Sequence, residues 1–367
     1  MTTVADIINF LERLAPTHLA AQWDNVGLLL GDRSTPVESV LTCLTVTPEV
    51  VAEAVQLKSN LIVTHHPVLF RPVQRINGDT PEGRMLLTLL KAGIAVYSSH
   101  TAFDDCPGGI NDEFARRLEL QDVGYLRPAE APNQHKLVVF VPEQDLRRVS
   151  DAIFAAGAGR IGNYSECSFR VTGTGSFFGG DTTNPTFGQK GRREEVSEWR
   201  LEAICPEPAI AAVVAAMRKA HSYEEPAFDI VPLRSVPGAF GVGRVGQLPA
   251  PLSLRKLAER LRNALASGPV QFVGEPNCQV EKVALACGAA GELLTNAMLA
   301  KADAFVTGEM RFHELLNAKA NQIALVLPGH YTTERFGIEV LTDIIRKSFP
   351  RLDIDSSKAE RDPLDWA

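Results

Sequence analysis

The chain has 367 residues and a formal net charge of −7, with 45% hydrophobic and 22% charged residues. A net negative chain lacks the basic surface that nonspecific nucleic-acid binding requires, so we expect no direct contact with nucleic acid. No apolar run approaches the roughly 18 residues of a membrane-spanning helix, so we expect no membrane partner.

The start of the chain and the cysteines indicate the cellular compartment of the protein. Residues 1–20 contain two acidic residues and no basic segment, so we interpret them as an amphipathic helix and not as an export signal. The six cysteines are scattered and form no C-x-x-C pair. This spacing is typical of reduced, mostly buried thiols, and not of a disulfide framework or a thiolate zinc site. We therefore expect a cytoplasmic protein.

Strand-like and helix-like segments alternate through the first third of the chain. Apolar runs at 40–47, 61–64 and 94–99 predict strands, and helical patterns lie between them. This alternation predicts an α/β layered domain. The alternation stops near Pro128 and resumes around residue 241.

The segment between these points predicts a different unit. Its elements follow the order strand-helix-strand-strand-helix-strand, which is typical of a small ferredoxin-like α+β domain. Its loops are rich in glycine but contain no G-x-x-x-x-G-K-[ST] motif, so we do not predict a phosphate loop. We place the domain boundaries at 1–127, 128–236 and 237–367.

The two flanking parts are similar to each other. Residues 40–64 align with 283–307 without a gap, and residues 94–104 align with 324–334. A chance agreement between apolar strands is one explanation, because such runs are common. However, a histidine followed by a carboxylate four residues later recurs in both copies. This repeat favours two similar α/β halves, produced by duplication and interrupted by the middle domain.

Several histidines follow predicted strands. In doubly wound α/β sheets, ligands bind outside the carboxyl ends of the strands. A single histidine at such a position is more often a hydrogen-bonded rim residue, and a single carboxylate more often belongs to a turn or a first helical turn. Together they form a set of nitrogen and oxygen donors without thiolate, which indicates a metal site. The candidate residues are His65, His66, His100, Asp104, His330 and Glu334.

The adjacent pair His65 and His66 suggests more than one ion. Neighbouring side chains on a strand point to opposite faces, so the two imidazoles are better placed for two different ions than for one. Glu334 has two carboxylate oxygens and can bridge ions about 3.5–4 Å apart. His313 lies one helical turn after Glu309 and is interpreted either as a substrate-facing group or as a structural residue.

Ordered motifs in both flanking parts resemble the GTP cyclohydrolase I type 2-like family, also called the NIF-three-like family. The middle unit resembles the PII/CutA-like insertion of its longer members, with "GRIGNYSECSF", "NPTFGQKG" and "HSYEEPAFDI" as the matching segments. The motifs of the flanking parts are "WDNVGLLLG" (23–31), "LIVTHHP" (61–67), "HTAFD" (100–104), "GVGRVG" (241–246), "TGEMRFHE" (307–314) and "GHYTTE" (329–334).

The resemblance implies a dinuclear metal site in which His66 and Asp104 hold one ion, His65 and His330 hold the other, and Glu334 bridges both. It also implies a ring-like homohexamer. The metal identity stays open, because mixed histidine and carboxylate sites accept Zn, Mn, Fe or Ni.

The implied activity is hydrolytic opening of the imidazole ring of GTP by metal-activated water, with release of formate. His100, Glu309 and His313 would then be the catalytic residues, acting on a small-molecule substrate of the nucleotide class. The alternative is a non-catalytic metal-binding protein, or a regulatory adaptor whose middle domain senses a ligand. Fold and ligands alone do not decide between them.

Overall fold

A computed structural model describes residues 1–129, 134–162, 164–234 and 240–365. Residues 1–129 and 240–365 belong to one compact unit, and residues 134–162 and 164–234 belong to a second. Up to residue 129, the elements of the first unit are α1 (Val4–Leu14), β1 (Gly27–Leu30), β2 (Ser39–Cys43), α2 (Pro48–Gln56), β3 (Leu61–Thr64), α3 (Pro81–Ala92), β4 (Ala95–Ser98), α4 (His100–Asp105), α5 (Ile110–Arg117) and β5 (Gln121–Pro128).

The remaining elements follow in chain order. The second unit contains β6 (Gln134–Val141), α6 (Glu143–Ala155), β7 (Phe169–Phe178), β8 (Arg193–Pro206), α7 (Ile210–Ala220) and β9 (Phe228–Leu233). The first unit then continues with β10 (Gly241–Ser253), α8 (Leu254–Ala264), β11 (Gln271–Val273), β12 (Gln279–Leu285), α9 (Leu294–Leu299), β13 (Ala304–Val306), α10 (Phe312–Ala320), β14 (Ala324–Leu327), α11 (His330–Ser348) and β15 (Asp353–Ser356). Single-turn 3₁₀ helices cover Thr17–Leu19, Glu207–Ala209 and Gly291–Leu293.

The first unit contains two mixed sheets. One has the strand order β1-β4-β3-β2-β15, in which only β1 runs antiparallel to its neighbour. The other has the order β11-β14-β13-β12-β10-β5, in which β12, β13 and β14 are parallel and the remaining pairs are antiparallel. The first sheet therefore contains four adjacent parallel strands and the second contains three, and in each sheet the carboxyl ends of these strands lie along one edge.

Strand β3 illustrates why these segments form buried strands. All four of its residues are buried. Leu61 and Val63 pack into a cluster with side chains of α1, α5 and α11, whereas Ile62 faces the opposite cluster with residues of α2 and α3. Because both faces are covered by helices, residues 61–63 are all apolar, and the strand shows no alternation with exposed polar residues.

Local signals fix the helices between these strands. Thr47 caps α2, with its Oγ1 accepting the backbone N–H of Val50 at 3.3 Å, and Pro48 occupies the first turn. Gly93 ends α3 at φ +67°, a left-handed conformation that favours glycine. These signals direct the chain back into the next parallel strand.

The second unit has one antiparallel sheet with the order β7-β8-β6-β9. Its elements follow the strand-helix-strand-strand-helix-strand order. Leu137 and Val139 of β6 pack with Val149 of α6 and Val213 of α7, so both helices cover the same face of the sheet. None of the helices in the described parts of the chain has the length and apolar character needed to cross a membrane.

Candidate metal centre

The first unit brings four histidines to the carboxyl ends of its parallel strands. His65 and His66 follow β3 directly, and their backbone N–H groups donate to the carbonyls of Cys43 at 3.0 Å and Leu44 at 2.8 Å. The hydroxyl of Ser98, the last residue of β4, donates to the His65 carbonyl at 2.6 Å. These bonds fix the backbone beneath the two imidazoles.

The four imidazole rings form one cluster. The ring centroid of His65 lies 5.1 Å from that of His66 and 5.1 Å from that of His100. The ring centroid of His66 lies 5.5 Å from that of His330, which opens helix α11 after strand β14. The sheets thus bring together side chains that are separated by up to 265 positions in the sequence.

Glu334 lies among these histidines and is buried, with a relative exposure of 3%. Its Oε2 is 3.1 Å from His66 Nε2 and 3.1 Å from His330 Nε2, and its Oε1 is 4.0 Å from His65 Nε2. Gly288 leaves room for this carboxylate, because a Cβ at that position would lie 2.3 Å from Glu334 Oε1. The two carboxylate oxygens of Glu334 therefore lie close to different histidines of the cluster.

Asp104 supplies the second carboxylate. Its Oδ1 is 3.5 Å from His65 Nε2 and accepts the thiol of Cys287 at 3.1 Å. Burial raises the pKa of Asp104 well above its usual value, and the nearby Glu334 carboxylate raises it further. In the metal-free protein, Asp104 is thus harder to ionise than an exposed aspartate.

His65 is the least satisfied polar residue of the cluster. Its side chain is fully buried, and neither ring nitrogen has a hydrogen-bond partner among the described residues. Burial lowers the pKa of His65 well below its usual value, so the ring is neutral near pH 7. A buried polar group without a partner costs about 1–3 kcal/mol, and a neutral imidazole nitrogen is a good metal ligand. The orphaned nitrogens therefore fit a metal ion.

His330 and Glu334 form a charged pair in the metal-free protein. The hydrogen bond to Glu334 raises the pKa of His330 to about 9, although burial acts in the opposite direction. Burial raises the pKa of Glu334, but the hydrogen bonds from His330 and His66 outweigh this and hold it below its usual value. Glu309 Oε1 lies 3.0 Å from His330 Nδ1, on the other side of the ring. A bound cation would replace the proton on His330 Nε2.

Asp24 orients His100 and was not predicted from the sequence. Its side chain is fully buried, and its Oδ1 accepts His100 Nδ1–H at 2.7 Å, while Oδ2 accepts from the backbone and hydroxyl of Thr101. Burial raises the pKa of Asp24, but the bonds from His100 and Thr101 outweigh it and lower the pKa below its usual value. His100 has φ +27°, a strained conformation that these contacts maintain.

The signal for Asp24 lay in the motif "WDNVGLLLG", where an acidic residue precedes strand β1 in a chain that buries few acids. A comparable contact holds His66, whose Nδ1 is 2.7 Å from the hydroxyl of Thr45. Both contacts bridge distant parts of the sequence, and only the folded chain makes them visible.

Most of the predicted site residues meet in this cluster. They are His65, His66, His100, Asp104, Glu309, His330 and Glu334. His313 is exposed on α10, where its ring centroid lies 5.8 Å from that of Phe312, and it is in neither of the groups of possible metal ligands found among the described residues. The short contacts join His65 to Asp104 and His66 to Glu334, whereas the resemblance groups His66 with Asp104.

Two groups of donor atoms have the spacing of metal ligands. One consists of His65, His66 and His100, and the other of His66, His330 and Glu334, with the donor atoms of each group within 4.8 Å of one another. Imidazole nitrogens with carboxylate oxygens suit Zn, Mn, Fe and Ni. The cluster could therefore hold divalent metal.

These features define a mixed α/β protein with a partly buried cluster of histidines and carboxylates at the carboxyl ends of parallel strands. The chain belongs to the family described as Duf34/NIF3 (NGG1p interacting factor 3), which it matches over residues 2–363. A protein of Halalkalibacterium halodurans, named GTP cyclohydrolase 1 type 2 homolog, is 39% identical over 324 residues, which are 88% of this chain and 87% of that protein.

Solved structures agree with this assignment. A Bacillus cereus protein related to NIF3 aligns with a TM-score of 0.70 and 35% identity, covering 100% of this chain and 99% of that one. A Staphylococcus aureus protein aligns with a TM-score of 0.80 and 26% identity over 100% of this chain and 99% of its own. The family resemblance predicted from the motifs is thus confirmed.

Proposed function

We propose that the cluster binds two divalent metal ions and that the protein is a metal-dependent hydrolase. The observation that carries the proposal is His65, a fully buried imidazole with both nitrogens unpartnered among the described residues. A folded chain retains such a group at a cost in stability, and this is typical of functional positions.

Five side chains would hold the ions. His65 lies close to Asp104 and to Glu334 Oε1, whereas His66 and His330 contact Glu334 Oε2, so Glu334 would serve two ions, one with each pair. We propose this grouping because it follows the contacts, and it differs from the grouping that the family resemblance implies. When bound, two divalent ions supply hydroxide near neutral pH and polarise a substrate oxygen.

The remaining residues would act on the substrate and on the imidazoles. Asp24 Oδ1 accepts the hydrogen bond from His100 Nδ1–H. The other ring nitrogen, Nε2, then points away from Asp24 and is free to contact a substrate or an ion. Glu309 is largely exposed and contacts His330 Nδ1, so it is accessible to carry a proton between the ring and solvent. We propose no step for His313, because it is exposed on α10 and is in neither group of possible metal ligands among the described residues.

The candidate reaction is hydrolytic opening of the GTP imidazole ring with release of formate. It is supported by the names of relatives such as the Halalkalibacterium halodurans protein, and by a donor set suited to hydrolysis. In its imidazolium form, with Nδ1–H held by Asp24, His100 would donate from Nε2 to the imidazole-ring nitrogen that gains charge when water attacks the carbon between the two ring nitrogens. The same resemblance supports a homohexamer, and the strand order of the second unit supports a ferredoxin-like, PII/CutA-like insertion.

The test is formate release from GTP by protein loaded separately with Zn, Mn, Fe or Ni. Glu334→Gln removes the bridging charge and should abolish turnover, whereas Glu339→Gln, an exposed position on the same helix, should not change it. If metal-loaded protein turns over neither GTP nor a panel of nucleotides and phosphoesters, the hydrolase proposal is wrong. Bound metal without turnover would support the alternative of a metal-binding or regulatory protein.

A further inference from the structure

Two segments that the metal centre does not use meet in the second unit. The first is the β7–β8 loop (residues 179–192), which contains "NPTFGQKG". The second is the α7–β9 loop (residues 221–227), which begins "HSYEEP". Together with one face of β7 and β8, these loops surround a cavity of about 620 Å³. Small-molecule sites typically measure about 300–1,000 Å³, so the cavity is large enough for a small organic ligand.

Hydrogen bonds hold the β7–β8 loop against the α7–β9 loop. The hydroxyl of Thr186 donates to the carbonyl of Ser222 at 2.8 Å. The backbone N–H of Asn184 donates to Glu224 Oε1 at 3.0 Å. These bonds tie two otherwise independent loops together at the mouth of the cavity, so its shape is largely preformed.

Aromatic rings form the walls of the cavity. Phe187 of the β7–β8 loop and Tyr223 of the α7–β9 loop lie with ring centroids 6.0 Å apart, in an edge-to-face arrangement. Phe140 of β6 supplies a third ring. Arrangements of this kind bind apolar bodies, and the faces of the rings attract cations.

One carboxylate in the wall lacks a cationic partner. Glu198 Oε1 accepts the hydroxyl of Tyr223 at 2.7 Å, and no cation pairs with Glu198 among the described residues. Its Oε2 lies directly over Gly175, where a Cβ would be 2.2 Å away. The glycine thus gives the carboxylate its place beside the rings.

The charged residues around Glu198 leave the cavity negative. Arg200 is the cation among the described residues that line it, and its Nε donates to Glu202 Oε1 at 2.7 Å, a carboxylate that also pairs with Lys136 at 2.8 Å. Arg200 is therefore only partly compensated, but the lining carboxylates Glu198, Glu224 and Glu225 outnumber it. Of the other lining carboxylates, Glu225 is 3.4 Å from Arg218. The negative charge of Glu198 therefore remains for a ligand to neutralise.

We infer that this cavity binds a small organic ammonium ion with an apolar or aromatic body. The ammonium group would pair with Glu198, and the body would lie against Phe187, Tyr223 and Phe140. An anionic ligand is disfavoured because the lining carboxylates Glu198, Glu224 and Glu225 outnumber the one lining cation among the described residues, Arg200. This ligand class is independent of the metal centre, which lies in the other unit.

The experiment titrates the full-length protein, in chelator, with three probes of similar size: phenethylamine, 2-phenylethanol and 3-phenylpropionate. Calorimetry and ligand-observed NMR measure binding. We expect phenethylamine to bind at least tenfold more tightly than either of the other probes. Equal or tighter binding of 3-phenylpropionate or 2-phenylethanol, or no binding of phenethylamine up to about 10 mM, would overturn the inference.

Variants locate the binding. Glu198→Gln should weaken phenethylamine binding at least tenfold, whereas Glu195→Gln, an exposed position on the same strand, should leave it unchanged. Phe187→Ala keeps Glu198 and should weaken the amine and the alcohol alike, because it removes a wall and no charge. If Glu198→Gln and Phe187→Ala both fold and bind phenethylamine as the wild type does, the assignment of this cavity is wrong.

Discussion

Replacing His65 by leucine should stabilise the metal-free protein. The imidazole is fully buried, and neither nitrogen has a hydrogen-bond partner among the described residues. A buried group without a partner costs about 1–3 kcal/mol, and leucine is an apolar side chain of similar size. Because burial keeps the pKa of His65 low, the substitution removes no charge near pH 7. We therefore expect the free energy of unfolding to rise by about 1–3 kcal/mol.

The assay is thermal unfolding in chelator and in excess divalent metal. For a unit of this size, about 1 kcal/mol corresponds to about 2–4 °C, so His65→Leu should raise Tm by roughly 2–12 °C in chelator. Metal at about 100 times its Kd should stabilise the wild type by about 2.7 kcal/mol. The variant should lose most of this increment, because a ligand is missing.

Tyr97→Phe is the matched control. The Tyr97 hydroxyl is buried on β4 and also lacks a partner among the described residues, but it does not belong to the cluster. Removal of the hydroxyl should stabilise the protein in chelator and should leave the stabilisation by added metal unchanged. The reasoning fails if His65→Leu destabilises the metal-free protein by more than about 1 kcal/mol, or if it retains the full metal increment.

Further predictions concern protons, orientation and space around the cluster. Because the His330 pKa is about 9, metal affinity should rise about tenfold per pH unit from 7 to 9 and then level off in calorimetry; a flat profile would contradict this. In chelator, the raised pKa of His330 and the lowered pKa of Glu334 mean that the pair stabilises the fold fully between about pH 4.5 and 6.5, and that this contribution is lost as pH rises through about 9 and also declines as pH falls below about 4.5. Asp24→Asn should lower turnover about 10- to 100-fold and shift the His100 NMR resonances with metal stoichiometry unchanged, whereas unchanged resonances would exclude an orienting role. Gly288→Ala should weaken metal binding about 10- to 100-fold, since the new Cβ would lie 2.3 Å from Glu334 Oε1, and unaltered affinity would show that Glu334 is not a ligand.

The parts of the fold that depend on local pattern were predictable from the sequence. The apolar run at 61–64 corresponds to β3, and the helix predicted after Gly329 begins at His330, which places His330 and Glu334 one turn apart. Since parallel strands end along one edge, histidines after such strands could be expected to converge. The convergence of His65, His66 and His100 follows from that rule, because β3 and β4 are neighbours in one sheet. His330 follows β14 of the other sheet, so its approach to them depends on how the two sheets pack, which the rule does not specify.

Features that depend on long-range contacts were not predictable. Strand β5 pairs with β10, more than a hundred residues later, and no local pattern specifies that partner. Asp24 reaches His100 across 76 positions.

The i, i+4 spacing of Glu309 and His313 suggested a shared helical face, but α10 begins only at Phe312, so Glu309 lies outside the helix and His313 is exposed on it.

The number and position of bound metal ions test the central claim most directly. Crystals of the metal-loaded protein, measured with anomalous scattering at the metal edge, give both. We predict two ions about 3.5–4 Å apart, each coordinated by one oxygen of Glu334, with His65 and Asp104 on one ion and His66 and His330 on the other. A single ion, or two ions that do not share Glu334, would contradict the account.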